Sequence, residues 1–406
     1  MKQLRMLAIF AFSLSIWFGV NTHDAYAEET ESLQVSFSPK RTITLDQTVK
    51  EANLQRFRFD SGYTFTYPDA VRGIYLTGHS AGGSRFNTLI DLINNTELNA
   101  MVIDVKDDHG NLTFKPDESS PYYDIAKNYI GDPKAMMDAL EENDIYPIAR
   151  IVVFKDTVLA EQRPELSFKD GGQIWKNNRG EAFVNPFMKE VWEYNVELAK
   201  YAVEMGFMEI QFDYVRFPEG FERRDEQLTY SEGDYENHEL NNIKKRVEAV
   251  SNFVEYAKNE LHEYGVDVSV DIFGYAATVE ETPGIGQNFT RISEHVDVIS
   301  SMIYPSHWSN NYFDIPVPDK EPYRLTDEYA KVENVVLGAL GENAPTSRPW
   351  IQDFSAPWLY SGATFTYGKK EVEDQIRALN ENGINEFLLW NSSNKYTEGV
   401  DYTPTN

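Results

Sequence analysis

Gln211-Phe212-Asp213-Tyr214-Val215-Arg216-Phe217-Pro218 decides how the rest of this 406-residue chain is read. Side chains alternate along a strand, so Gln211 and Asp213 share one face while Phe212 and Tyr214 share the other. An unpaired carboxylate inside an apolar strand is costly, so Asp213 requires a compensating partner. Pro218 ends the ladder because it has no N–H to contribute. A carboxylate at the carboxyl end of a buried strand stands where barrel enzymes keep their catalytic groups. Asp213 is therefore the leading catalytic candidate.

Outward from this stretch, short apolar runs fall at residues 71–77, 100–106, 146–154, 209–217, 266–273, 296–304, 349–354 and 386–391. Amphipathic helical stretches lie between them at 86–94, 132–143, 189–205, 240–264, 280–294 and 369–382. Eight strands with intervening helices predict an α/β fold, a (β/α)8 TIM barrel over residues 71–406. A doubly wound open sheet is the alternative, since periodicity counts strands without closing the ring. Two connections, 155–186 and 219–241, are long and are expected to build a substrate cleft. Residues 28–70 are polar and weakly patterned, which predicts a short N-terminal arm packed on the barrel.

Residues 1–27 read as a secretory signal. Lys2 and Arg5 precede an apolar run from Leu7 to Val20, and Ala25-Tyr26-Ala27 is a small-x-small cleavage site, with cleavage expected after Ala27. The run is too short for a comfortable membrane span, so no stable membrane insertion is expected after signal removal. The expected location is secreted, or extracytoplasmic. With no cysteine the chain has neither disulfides nor thiol chemistry, which suits a bacterial exported protein. A formal charge of −28 repels phosphate backbones and anionic lipid, so no nucleic acid is expected as a partner. Tyr and Phe occur 24 times each and Trp 7 times, a load that serves both a core and stacking against sugar rings.

Polar residues near the predicted strand ends define a candidate rim. These are Asp104, Lys106 and His109 on the second strand, Arg150 on the third, Asp213 and Arg216 on the fourth, and Asp271 on the fifth. Tyr304, His307 and Trp308 follow on the sixth, Gln352 and Asp353 on the seventh, and Trp390 on the eighth. An acidic, aromatic rim without phosphate-binding glycine loops fits glycoside hydrolysis, in which two carboxyl groups flank the acetal. One must be ionised and the other held protonated by an apolar or like-charged setting. Asp213, with Arg216 close in sequence, suits the ionised role. Asp271, within an apolar run on the adjacent strand, suits the protonated one. The other rim residues are expected to bind carbohydrate, although Asp213 paired to Arg150 or Arg216 is also a purely structural possibility, and Asp353 equally reads as a helix cap.

Two other chemistries compete. Gly78-His79-Ser80-Ala81-Gly82 matches the nucleophile elbow of esterases, but too little chain precedes Ser80 for the usual preceding strands. Its bland alternative is a glycine-rich loop in which Ser80 or Ser84 caps the next helix. No cofactor is expected; Asp107-Asp108-His109-Gly110-Asn111 offers oxygen donors for a calcium ion, without the EF-hand spacing. A non-catalytic glycan-binding barrel of a cell-envelope or sporulation assembly is the second functional alternative.

The segments Gly73-Ile74-Tyr75-Leu76-Thr77, Ala100 to Asp107, Asp213-Tyr214-Val215-Arg216-Phe217-Pro218, Ser301 to Trp308 and Trp350 to Phe354 resemble a bacterial glycosyl hydrolase domain family related to α-amylase-like barrels. The resemblance runs from Val71 to about Tyr396. It implies a (β/α)8 barrel, carbohydrate substrates and a nucleophilic Asp on the fourth strand, a position Asp213 matches. The wider group has a Glu acid on the fifth strand, where this chain has Asp271. It also has an Arg two residues before the nucleophile, where this chain has Gln211.

Overall fold

The computed structural model describes residues 34–38, 41–46 and 56–403; the signal reading at 1–27 lies outside them. Eight parallel strands form one closed ring. In chain order they are β1 (Arg72–Leu76), β2 (Ala100–Lys106), β3 (Tyr146–Val152), β4 (Glu209–Asp213), β5 (Asp267–Phe273), β6 (Val298–Met302), β7 (Trp350–Gln352) and β8 (Phe387–Trp390). Each pairs with its sequence neighbour, and β8 closes on β1 through Phe387↔Arg72 to Leu389↔Ile74. All eight predicted strands are present, and the open-sheet alternative is excluded by this closure.

The ring has two apolar compartments, as the alternation of strand side chains demands. Ile74, Met101, Ile103 and Val105 point outward and pack beneath the helices. Tyr75, Val102, Ile148, Trp350 and Leu388 fill the interior. The covering helices include Arg85–Asn94, Pro133–Glu142, Lys189–Met205, Asn242–His262, Pro322–Gly338 and Lys369–Glu381. Lys189–Met205 ends at Gly206, whose φ of 109° supplies the left-handed stop.

Two helical expectations need correction. The stretch 280–294 is helical only over Phe289–Ser293, because Pro283, Gly284 and Gly286 break the pattern before it. The 17-residue helix Pro322–Gly338 was not among the predicted stretches; its buried stripe includes Thr326 and Glu333, which interrupt the apolar period.

The amino-terminal end of the barrel is plugged. Arg348 donates to Glu209 at 2.8 Å, to Glu386 at 2.8 Å and to the Tyr67 hydroxyl at 2.7 Å. Tyr67 packs edge-on against Tyr146, and Tyr63 donates to Asp138. Residues just before β1 thus lie across the closed end, upstream of which three short strands, Gln34–Ser38, Arg41–Asp46 and Arg56–Asp60, pair antiparallel. All the candidate chemistry is left at the other end. Among the described residues no helix is long and apolar enough to cross a membrane.

Candidate active site

Arg150 organises the carboxyl end of the ring. On β3 it lies opposite Gln211, two residues back from the Val152↔Asp213 pair, so its side chain shares the interior face with that of Asp213. Its Nε and one terminal nitrogen meet the same Asp213 oxygen at 2.9 and 2.6 Å. Its remaining donors reach Asp104 at 2.7 Å and Asp108 at 2.8 Å. One buried guanidinium thus serves three carboxylates through the fork of N–H donors that arginine presents in one plane. Asp213 takes a further bond at 2.5 Å from the N–H of Tyr214, on its other oxygen. Tyr214 has φ of 52°, rare for a bulky residue, and this turn swings its ring over the mouth of the barrel.

Asp271 occupies a different environment. β4 and β5 pair as far as Phe212↔Val270, which puts Asp213 and Asp271 next along their strands at the same level. No cation bonds to Asp271 among the described residues; one oxygen accepts 2.7 Å from the Trp350 indole. Burial, then the charge of Asp213, push its carboxyl well above the usual range, against the opposing pull of Arg150 and the indole. Burial also raises Asp104 to about 7 against the pull of Arg150, whereas the charges of Arg150 and Lys155 hold the half-exposed Asp108 at about 2.

A cavity of about 720 Å3 opens above these groups. Asp213, Asp271, Arg150, Arg216, Tyr304 and Trp390 line it, with His307 at its edge. Trp390 stacks on Tyr75 at 4.2 Å, and both rings lie about 5.5 Å from the Arg150 guanidinium. Asp108, Tyr214, Glu219 and Trp350 also face this space and were absent from the predicted site. The long connections supplied the signal for Glu219; Asp108 was visible at the second strand end.

Several predicted rim residues are not brought to the cavity. The cation on Asp213 is Arg150, not Arg216, whose guanidinium lies 4.8 Å from both the Tyr214 and Phe273 rings and meets Glu219. A bulge in β2 between Asp104 and Lys106 breaks the alternation, so Lys106 turns outward to Asp156 at 2.6 Å and Asn195 at 2.9 Å. Asp104 is sealed beneath Tyr75 and acts on the cavity only through Arg150. His109 is exposed on the loop beyond. Trp308 packs among Tyr312, Phe313 and Tyr329. Gln352 is buried, bonded to Ser306, Asp319 and Phe354. Asp353 is neither rim acid nor helix cap: it holds Thr397 through both backbone and hydroxyl.

The esterase-like segment is a tight first loop. Thr77, not Ser80, caps the short helix Gly78–Ala81, and Ser84 makes no side-chain cap bond. A Cβ on Gly82 would fall 1.8 Å from the Tyr129 carbonyl, so the second glycine is required by backbone contact. Among the described residues neither histidine nor carboxylate bonds the Ser80 hydroxyl. Asp107, in the other competing motif, accepts the N–H groups of His109, Gly110 and Asn111 and so folds its own loop.

The model of a family described as "Putative glycosyl hydrolase domain" matches residues 73–396, the whole span of the ring. A hypothetical protein from Ruminiclostridium thermocellum is 34% identical over 49% of this chain and 96% of its own, with a TM-score of 0.42. The PgaB (BpsB) glycoside hydrolase domain from Bordetella bronchiseptica is 11% identical over 80% of this chain and 95% of its own, with a TM-score of 0.56. The latter likeness is one of fold. No curated protein matches the chain.

Proposed function

The chain belongs to this glycosyl hydrolase domain family, and from that premise we propose that it is an exported glycoside hydrolase acting on a polysaccharide or oligosaccharide. The reading rests on one observation: two carboxyl groups at the same level of adjacent strands have opposite settings. Asp213 is clamped by a guanidinium, as an ionised group should be. Asp271 is buried beside that charge with no cation of its own, as a proton donor should be.

In the reaction, Asp271 gives its proton to the glycosidic oxygen as the C1–O bond breaks, and Asp213 attacks C1 to form a glycosyl ester. Asp271, now a carboxylate, takes a proton from water, whose oxygen displaces Asp213 from C1 and restores both groups. Adjacent strands lie about 5 Å apart, close to the carboxyl spacing of a retaining mechanism. Trp390 and Tyr304 offer ring faces to the sugar, while Arg216 and His307 offer hydrogen bonds at the cavity edge.

The test is a panel of polysaccharides presented to the purified protein, with release of reducing ends as the readout. Both Asp213→Asn and Asp271→Asn lower turnover by at least about 100-fold, and the first product keeps the anomeric configuration of the substrate. Full turnover in Asp213→Asn overturns the assignment. Tight glycan binding with no turnover in the unaltered protein favours the non-catalytic barrel instead.

A further inference from the structure

Beyond the main cavity, the cleft continues over Tyr214 and Arg216 into a second hollow of about 280 Å3, whose floor is Trp175. The two hollows share Arg179, Tyr214, Arg216 and Glu219, so a chain lying across the carboxyl pair passes from one to the other. Four cations, Lys176, Arg179, Arg216 and Arg224, line this extension against two carboxylates, Glu181 and Glu219. In a chain of net charge −28 that local excess is out of character.

The pairings sharpen the imbalance. Glu219 is taken by Arg216 at 3.2 Å, and Glu181 by Lys155 at 2.9 Å from below. Lys176 is taken by Glu161 at 2.7 Å, outside the hollow. Arg179 and Arg224 remain, and among the described residues no carboxylate lies within ion-pair distance of either guanidinium. Arg224 is posed 5.7 Å over the Trp175 ring, which steadies it without neutralising it. A planar guanidinium matches carboxylate and phosphate oxygens in the same forked geometry.

We infer that this extension is a subsite for an anionic glycan, with Arg179 and Arg224 receiving carboxylate or phosphate groups on a sugar unit removed from the scissile bond. The inference names a substrate class for the proposed hydrolase and so rests on that reading. At physiological ionic strength charges beyond about 8 Å are screened, so the acidic remainder of the surface does not cancel contacts made in the hollow.

Binding is measured at that ionic strength with the full mature chain carrying Asp213→Asn, which takes turnover out of the readout. The probes are polygalacturonate for carboxylate, phosphate-substituted dextran for phosphate, and plain dextran as the neutral control. At least one anionic probe binds about ten-fold or more tightly than plain dextran, and adding Arg179→Gln with Arg224→Gln removes that preference, a loss of the size of one charge-assisted hydrogen bond. Both arginines are exposed, and an unchanged thermal transition verifies that the variants fold. Equal binding of charged and neutral probes, or an undiminished preference in the double variant, overturns the subsite. Failure of the hydrolase reading shows separately, as the absence of turnover of any of the panel glycans by the unaltered chain.

Discussion

Asp271 is pushed up by burial and by Asp213, and the Trp350 indole is one of the two groups that pull it back. Removing that donor with Trp350→Phe raises the carboxyl further, because an N–H bond favours the charged form. If Asp271 is the proton donor, activity falls as pH rises through its pKa. The alkaline limb of kcat/KM then moves to higher pH in the variant. A limb that stays in place removes Asp271 from the acid role. Asp213 was legible from the sequence because period-two alternation leaves a carboxylate there with no neighbour on its own strand to satisfy it. Its partner was narrowed only to Arg150 or Arg216: the second is three residues away in the chain and the first across the ladder, and the register that decides between them is invisible to a single strand's pattern.

Strands were more legible than helices at the level of the element, since buried parallel strands read as dense apolar runs. Lys106 shows where even that fails, as one inserted residue in β2 reverses every later side chain. Pro322–Gly338 shows the helical failure, because Glu333 sits where the apolar stripe should be. Burial raises that carboxyl to about 7, although hydrogen bonding partly opposes it, and no cation contributes. Its folded pKa lies above its unfolded one, so the folded state binds the extra proton. The stability this contributes is present below about pH 4.5 and is lost as pH rises through about 7. Glu333→Gln is therefore expected to flatten unfolding free energy against pH across that window, by about 1 kcal/mol per unit relative to the parent chain. Parallel slopes for the two proteins in urea titrations from pH 4.5 to 7 count against it.

The whole molecule divides its charged interior between two ends. At the amino end Arg348 satisfies Glu209, Glu386 and Tyr67 in a plug across the ring. At the carboxyl end Arg150 satisfies three carboxylates beneath an open cavity. Arg348→Met leaves two buried carboxylates without their cation and costs about 3–5 kcal/mol, read as a lower urea midpoint. Below its transition the variant keeps glycan binding, because none of Arg348, Glu209 and Glu386 lines the cavity; a loss of binding in a folded sample contradicts this division.

The ring closes by laying β8 against β1, elements separated by about 300 positions of chain. Loop-closure entropy for that contact is met only late, so the nascent polypeptide must carry two exposed sheet edges until its final strand is available. A chain cut before Phe387 leaves the facing edges of β7 and β1 without the strand that joins them, and unpaired edges of that kind invite association with other chains.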